Sequence, residues 1–226
     1  AFDSLICYKI QQLILYINLL TDRFSSERLL HLRVSLCQLD HSSLIRALRD
    51  HHLCLDLTAD LHHDLDLLID AAPLLGPQYQ IVVAGESYGS FEKYQAQIAA
   101  SGCGDRIHVF NSYIDDGQVP LFFSAADLSV LPYRSATQSG ITAIALHFDL
   151  PVVATPVGGL AESIEKPGVG LMTSGVSAEA VAKAVEAFYA AGPDTFIENI
   201  RKAKADMTWE VFAARLLELC SQHFAR

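Results

Sequence analysis

The sequence predicts a doubly wound α/β fold: a parallel, Rossmann-like sheet covered by helices on both faces, with helical additions at both ends. Three observations predict it. From residue 79 onward, short apolar runs alternate with stretches of helical length; Ser or Gly residues suited to helix starts open those stretches; and loops rich in glycine and hydroxyls follow the runs. In such sheets ligands bind beyond the carboxyl ends of the strands, which is where these loops fall.

The elements follow in order. Residues 1–50 read as a helical amino-terminal segment of unclear origin. Within it, Ile6, Ile10, Leu13, Ile17 and Leu20 recur at helical spacing, while Lys9, Gln11, Gln12 and Asn18 interrupt the apolar run. Leu5–Leu20 is therefore expected to be an amphipathic helix, packed on the rest of the chain or making peripheral contact with a membrane. It falls short of the roughly 18 apolar residues a membrane span needs, and it lacks the basic start and Ala-x-Ala-like exit of a signal peptide. Residues 51–192 form the sheet lobe, with strands expected at Gln80–Ala84, Arg106–Phe110, Leu128–Pro132, Pro151–Ala154 and Val169–Met172. Ser90 precedes a helix over Phe91–Ala100, Ser139 one over Gly140–Phe148, Gly159 one reaching Ile164, and Ser177 one reaching Ala190. Residues 193–226 read as two helices packing on the lobe, with Trp209 and Phe212 as their anchors.

Composition sets the outer bounds. The 226 residues are 51% hydrophobic and 19% charged, enough for one sizeable core or two small ones, which excludes a disordered chain. A net charge of -10 repels phosphodiester backbones, so nucleic acid is not an expected partner. A small anion remains open, because a helix amino terminus binds phosphate locally. Five cysteines, widely spread and without a C-x-x-C pair, read as the reduced thiols of a cytoplasmic protein. All 13 glycines lie at Gly76 or later, and six of the nine histidines lie before it. That change marks a domain boundary, a divergent segment, or chain that has ceased to encode what its ancestor did.

Four loops are candidates for a site: Gly85–Gly89, Asn111–Gly117, Tyr133–Gly140 and Thr155–Gly159. Gly85–Gly89 lacks the G-x-G-x-x-G spacing of a dinucleotide fingerprint, and no Walker lysine pattern occurs. Tyr133–Gly140 combines a cation, hydroxyls and an amide just before a helix. The free N–H groups of Gly140, Ile141 and Thr142 suit an anion, to which Arg134 would add a bidentate contact. The plain alternatives are an N-cap for Ser139 and a solvated surface position for Arg134. In Thr155–Gly159, Gly158 and Gly159 permit close approach by a ligand or by a neighbouring loop, and Glu162 suits a first helical turn with or without a function. The pairs His51-His52 and His62-His63 complete no recognised ligand spacing, so no metal is expected. No G-x-S-x-G elbow or H-E-x-x-H helix is present.

The stretches IVVAGES, GCGDRIHVFNSYIDDGQVPLFFSAADLSVLPYRSATQSGITAIA and LPVVATPVGGLAESI, closed by TWEVFAARLLEL, resemble the carboxy-terminal, nucleotide-sugar-binding lobe of GT-B fold glycosyltransferases of family 4. The resemblance implies that residues 51–192 hold a nucleoside diphosphate sugar as substrate, with no separate cofactor. Its donor-binding residues would be Arg134, Thr137, Gln138, Ser139, Gly140 and Ile141, with Asn111, Gly158, Gly159 and Glu162 as additional contacts. It implies transfer to an acceptor hydroxyl with retention and without a metal. Such a lobe works with an amino-terminal acceptor lobe, which residues 1–50 do not resemble. An amino-terminally truncated or altered relative is expected, with a reading frame diverging before residue 65; an intact upstream frame in the resequenced coding region would support this.

The departures are as informative as the matches. Ala136 and Ile144 occupy the places of two glutamates that this family turns toward sugar and ribose. In the stretch Leu57–Asp64, Asp60 and His63 replace an arginine and a lysine that neutralise the pyrophosphate. A carboxylate there costs about 1 kcal/mol or more at an effective dielectric near 20. No residue is assigned to catalysis, and an isolated chain that is weak or inactive is expected. The alternative is a noncatalytic nucleotide-binding or protein-partner module, with Leu5–Leu20 against another subunit or a membrane. Another Rossmann-type enzyme acting on a phosphorylated ligand is the third reading, opposed by the missing fingerprint.

Overall fold

The computed structural model describes residues 52–57, 64–87 and 89–224. Leu5–Leu20, with the rest of residues 1–50, and the positions of Asp60 and His63 lie outside the described residues. Six strands, β1 (His52–Leu57), β2 (Tyr79–Gly85), β3 (Ile107–Asn111), β4 (Leu128–Leu131), β5 (Val152–Ala154) and β6 (Gly170–Met172), form one sheet in the order β3-β2-β1-β4-β5-β6. Every pairing is parallel. That order is the doubly wound one, with the chain reversing its direction of travel between β1 and β4. The five expected strands are present to within a residue or so at each end. β1 was not among them.

Its position explains the omission. His52-Leu-Cys-Leu-Asp-Leu57 alternates polar and apolar residues as a half-exposed strand would, and neither glycine nor proline brackets it. Yet β1 is central, paired with β2 at Cys54↔Ile81 and with β4 at Cys54↔Leu128. Both faces are covered, so Cys54, Leu55 and Asp56 are all buried. Burial pushes the Cys54 thiol up to about 12.

The helices are α1 (Leu65–Ala71), α2 (Glu92–Ser101), α3 (Val119–Ala125), α4 (Gly140–His147), α5 (Leu160–Ile164), α6 (Ala178–Ala191), α7 (Asp194–Asp206) and α8 (Trp209–Phe224). Ser177 caps α6 as expected, its hydroxyl accepting from the Ala180 amide at 3.2 Å. α6 buries Val181, Val185 and Phe188 in the core, where Phe188 stacks on Phe196 of α7 at 5.4 Å. Burying side chains of this size contributes roughly 1.5–3 kcal/mol each. Among the described residues, no helix is long and apolar enough to cross a membrane.

The expected anchors of the last two helices are corrected. Trp209 and Phe212 stack on each other at 5.4 Å and each stays 53% exposed. The contact with the core is made instead by Phe196 and Ile200 of α7. The long amphipathic pattern of α8 suggests a buried face in the sequence, but its Leu216, Leu217 and Leu219 are exposed as well.

One arginine holds the turn between α1 and β2. Arg106 donates through Nη1 to the Gly76 and Tyr79 carbonyls at 2.9 and 3.3 Å, and through Nη2 to the Ala72 carbonyl at 2.9 Å and Cys103 Sγ at 3.1 Å. Replacing Arg106 by Met keeps the stem but leaves these acceptors unpaired, so a loss of about 1–3 kcal/mol is expected in urea unfolding. An unchanged midpoint would show that water replaces the guanidinium without cost.

Candidate functional site

The site is set by topology before any side chain enters. Strand order reverses between β1 and β4, and the carboxyl ends of the strands at such a switch point are where an open parallel sheet offers a crevice to a ligand. The chain leaves β4 at Leu131, runs through Pro132–Ser139 and enters α4 at Gly140. Ser139 has the extended backbone of an N-cap residue, φ -131° and ψ 121°, but its side chain makes no capping bond. Its hydroxyl lies 3.4 Å from that of Tyr133 instead. The plain N-cap reading of the Ser139 side chain is therefore not what the structure has, and the first-turn amides of α4 are left without a side-chain acceptor. A β-carbon built on Gly140 would meet nothing within 4 Å, so the helix amino terminus opens onto free space.

Two glycines hold this loop in place. Gly159 N–H donates to the Thr137 carbonyl at 2.9 Å. Gly158 has φ +53°, and a β-carbon there would overlap the Ala136 carbonyl oxygen. Of the two partners the sequence left open, the neighbouring loop is thus one that both glycines serve. The buried Thr155 adds a third tie, its hydroxyl donating to the Tyr133 carbonyl and, at 3.4 Å, to that of Leu131. At its other end α4 is closed by a cation: Lys204 Nζ donates to the His147 carbonyl at 2.9 Å and pairs with Asp149 at 2.7 Å. A positive charge there complements the helix dipole whose positive pole faces the crevice.

Arg134 is placed differently from a free phosphate ligand. Its main-chain amide donates to Asp64 Oδ2 at 2.6 Å, its Nε faces Asp64 Oδ1 at 3.4 Å, and its Nη2 pairs with Asp66. Both carboxylates belong to the start of α1, so the guanidinium ties the β4 loop to the α1 end of the crevice. Near the carboxyl end of β1 is Asp56, 1% exposed, with Oδ1 making no hydrogen bond. Burial pushes its pKa up to about 7. Burial also pushes the Tyr133 hydroxyl up to about 12, opposed by the Ser139 contact and reinforced by Asp56 and Asp64.

The predicted residues fall into two groups. Thr137, Gln138, Ser139, Gly140 and Ile141 are brought together with Gly158 and Gly159; Thr137, Gln138 and Gly140 are exposed, and Ile141 packs against the core. Asn111 and Glu162 make no hydrogen bond to that loop among the described residues. Asn111 accepts from the Ser87 amide at 3.0 Å, and Glu162 is exposed on α5. Ala136 and Ile144 are both half-buried against the core. Asp56, Asp64 and Asp66 were missed. An aspartate set between two leucines in Leu55-Asp-Leu57 is the signal that could have found Asp56; the two others became meaningful only once topology placed α1 beside the β4 loop. Among the described residues no three metal-ligating side chains converge.

Residues 57–191 match the family model of glycosyl transferases group 1. The chain belongs to the group 1 glycosyl transferase family. Solved members and relatives share this lobe: sucrose-phosphate synthase from Thermosynechococcus elongatus is 25% identical, over 81% of this chain and 49% of that one, at a TM-score of 0.66. HepE from Anabaena, solved with UDP-glucose, is 20% identical over 91% of this chain and 55% of its own, at 0.67. The carboxy-terminal domain of the group 1 protein LpcC from Francisella tularensis is 15% identical over 70% of this chain and 85% of that domain, at 0.60. This group 1 chain thus spans about half the length of the first two and has the fold of a GT-B lobe. No curated protein matches it closely.

Proposed function

We propose that this lobe binds a nucleoside diphosphate sugar in the manner of the family 4 branch of GT-B enzymes, its pyrophosphate lying over the amino terminus of α4. Thr137, Gln138, Ser139, Gly140 and Ile141 face the donor, with Gly158 and Gly159 behind them and Asn111 and Glu162 farther out. The observation that carries this reading is the uncapped, unobstructed start of α4 at the point where the sheet reverses. Peptide amides there supply a fixed positive pole that needs no reorganisation when charge arrives. The UDP-glucose and UDP complexes of HepE support it by likeness of fold. The reaction is transfer of the sugar to an acceptor hydroxyl with retention, and the lobe's part is to stabilise the departing diphosphate, without a metal or other cofactor. The acceptor side belongs to a second lobe or partner subunit.

Ala136 and Ile144 offer no carboxylate to a sugar or ribose hydroxyl, so affinity is weak and turnover by this chain alone is slow or absent. A noncatalytic nucleotide-binding or protein-partner module is the second reading, favoured by the pairing of Arg134 with Asp64 and Asp66.

Calorimetric titration with UDP and with GDP tests the proposal. Heat that saturates between micromolar and millimolar nucleotide is expected, corresponding to about 4–8 kcal/mol. Gly140→Leu should abolish that heat while leaving thermal unfolding nearly unchanged, because the added side chain projects into open space in the unliganded protein. Heat that survives the substitution moves the phosphates elsewhere. Silence with both nucleotides ends the nucleotide reading.

A further inference from the structure

We propose that Arg134 is a carboxylate-held cation for which an anionic ligand at the start of α4 must compete, with Asp66 as the competitor and Asp64 as the anchor. The inference rests on the nucleotide reading above and adds to it a device that sets affinity. Arg134 is the only lysine or arginine in the four loops Gly85–Gly89, Asn111–Gly117, Tyr133–Gly140 and Thr155–Gly159. Any side-chain cation those loops bring to a diphosphate must come from it.

The two carboxylates are not equivalent. Asp64 uses Oδ2 to accept from the Arg134 main-chain amide at 2.6 Å, while only Oδ1, at 3.4 Å, faces the guanidinium. Its grip on the backbone persists when the side chain leaves, and that grip positions the loop. Asp66 touches the guanidinium alone, through Nη2. It cannot follow the arginine, because Gln97 fixes α1 by donating to the Asp66 carbonyl at 3.1 Å and to Asp70 Oδ1 at 2.7 Å.

Exposure makes the exchange feasible. The Arg134 side chain is 47% exposed, against 17% for Asp64 and 25% for Asp66. Ion pairs open to solvent in this way are weak, whereas a guanidinium meets phosphoryl oxygens in a bidentate fork and gains from their greater charge. A diphosphate can therefore draw Arg134 from Asp66, and the lost pair subtracts from its affinity.

Calorimetry on the full chain, with UDP and with inorganic pyrophosphate as the bare anion, tests this. Asp66→Asn should tighten both ligands about two- to fivefold. The gain should vanish when Arg134→Gln is added, since a neutral side chain has nothing to release. Asp64→Ala should weaken both ligands by loosening the loop. Circular dichroism and thermal unfolding establish that each variant is folded. Unchanged or weaker binding by Asp66→Asn, or a gain that persists beside Arg134→Gln, overturns the competition while leaving the nucleotide site standing. Silence from wild type with both UDP and GDP removes the nucleotide reading and this inference together.

Discussion

Gly158→Ala is expected to destabilise the chain by about 2–5 kcal/mol and to abolish nucleotide binding, although it adds one methyl group at an exposed residue. Two costs combine. The residue has φ +53°, which an alanine adopts at roughly 1–2 kcal/mol, and the new carbon would overlap the Ala136 carbonyl oxygen. Relief requires the segment around Ala136 and Thr137 to move, which breaks the bond from Gly159 N–H to the Thr137 carbonyl. The loop that enters α4 is then unseated. Gly140→Ala supplies the control: its φ is ordinary, its surroundings are empty, and its urea midpoint should stay close to that of wild type. Matching midpoints for the two variants would show that the loop yields freely and that Gly158 holds nothing in place.

The second large effect is a pH dependence carried by Asp56. Burial raises its folded-state pKa to about 7, above the unfolded value near 3.8. The folded chain therefore binds this proton more tightly. The associated stability is fully present below the unfolded pKa and is lost as pH rises through the folded one. Across that window the difference amounts to roughly 4 kcal/mol at 1.36 kcal/mol per unit. Asp56→Asn carries no titrating proton. Its stability relative to wild type should increase steadily from pH 4 to pH 8 by up to about that amount, read as diverging urea midpoints, while the contributions of the other carboxylates cancel in the comparison. Parallel curves would mean that Asp56 is hydrated or finds a partner for its ionised form.

Much of the lobe was readable because its signals are local. Five strands are short apolar runs flanked by turn residues, and Ser177 announces α6 by the same hydroxyl that caps it. Likewise, Gly140 could be placed at a helix start from the loop chemistry around it. What escaped depends on contacts distant in sequence. β1 is disguised by His52 and Asp56, whose polarity a solvent-facing strand would share; only pairing on both sides buries it. Arg134 could be recognised as a cation near an anion site, but not as one engaged by Asp64 and Asp66, because that requires α1 to lie beside the β4 loop. Trp209 and Phe212 misled for the opposite reason. Large aromatic residues usually mark buried contacts, yet this pair satisfies part of its surface by mutual stacking.

The seam where β1 meets β4 has a consequence for how the protein is made. Cys54 aligns with Leu128 and Leu55 with Ser129, so the middle of the sheet cannot be completed until the strand that leads into the β4 loop has been synthesised and brought back. Such distant closure is slow, since chain entropy is lost before the pairing compensates for it. A nascent chain released before that return would have β1 paired only with β2, one edge of it bare, and no crevice at all.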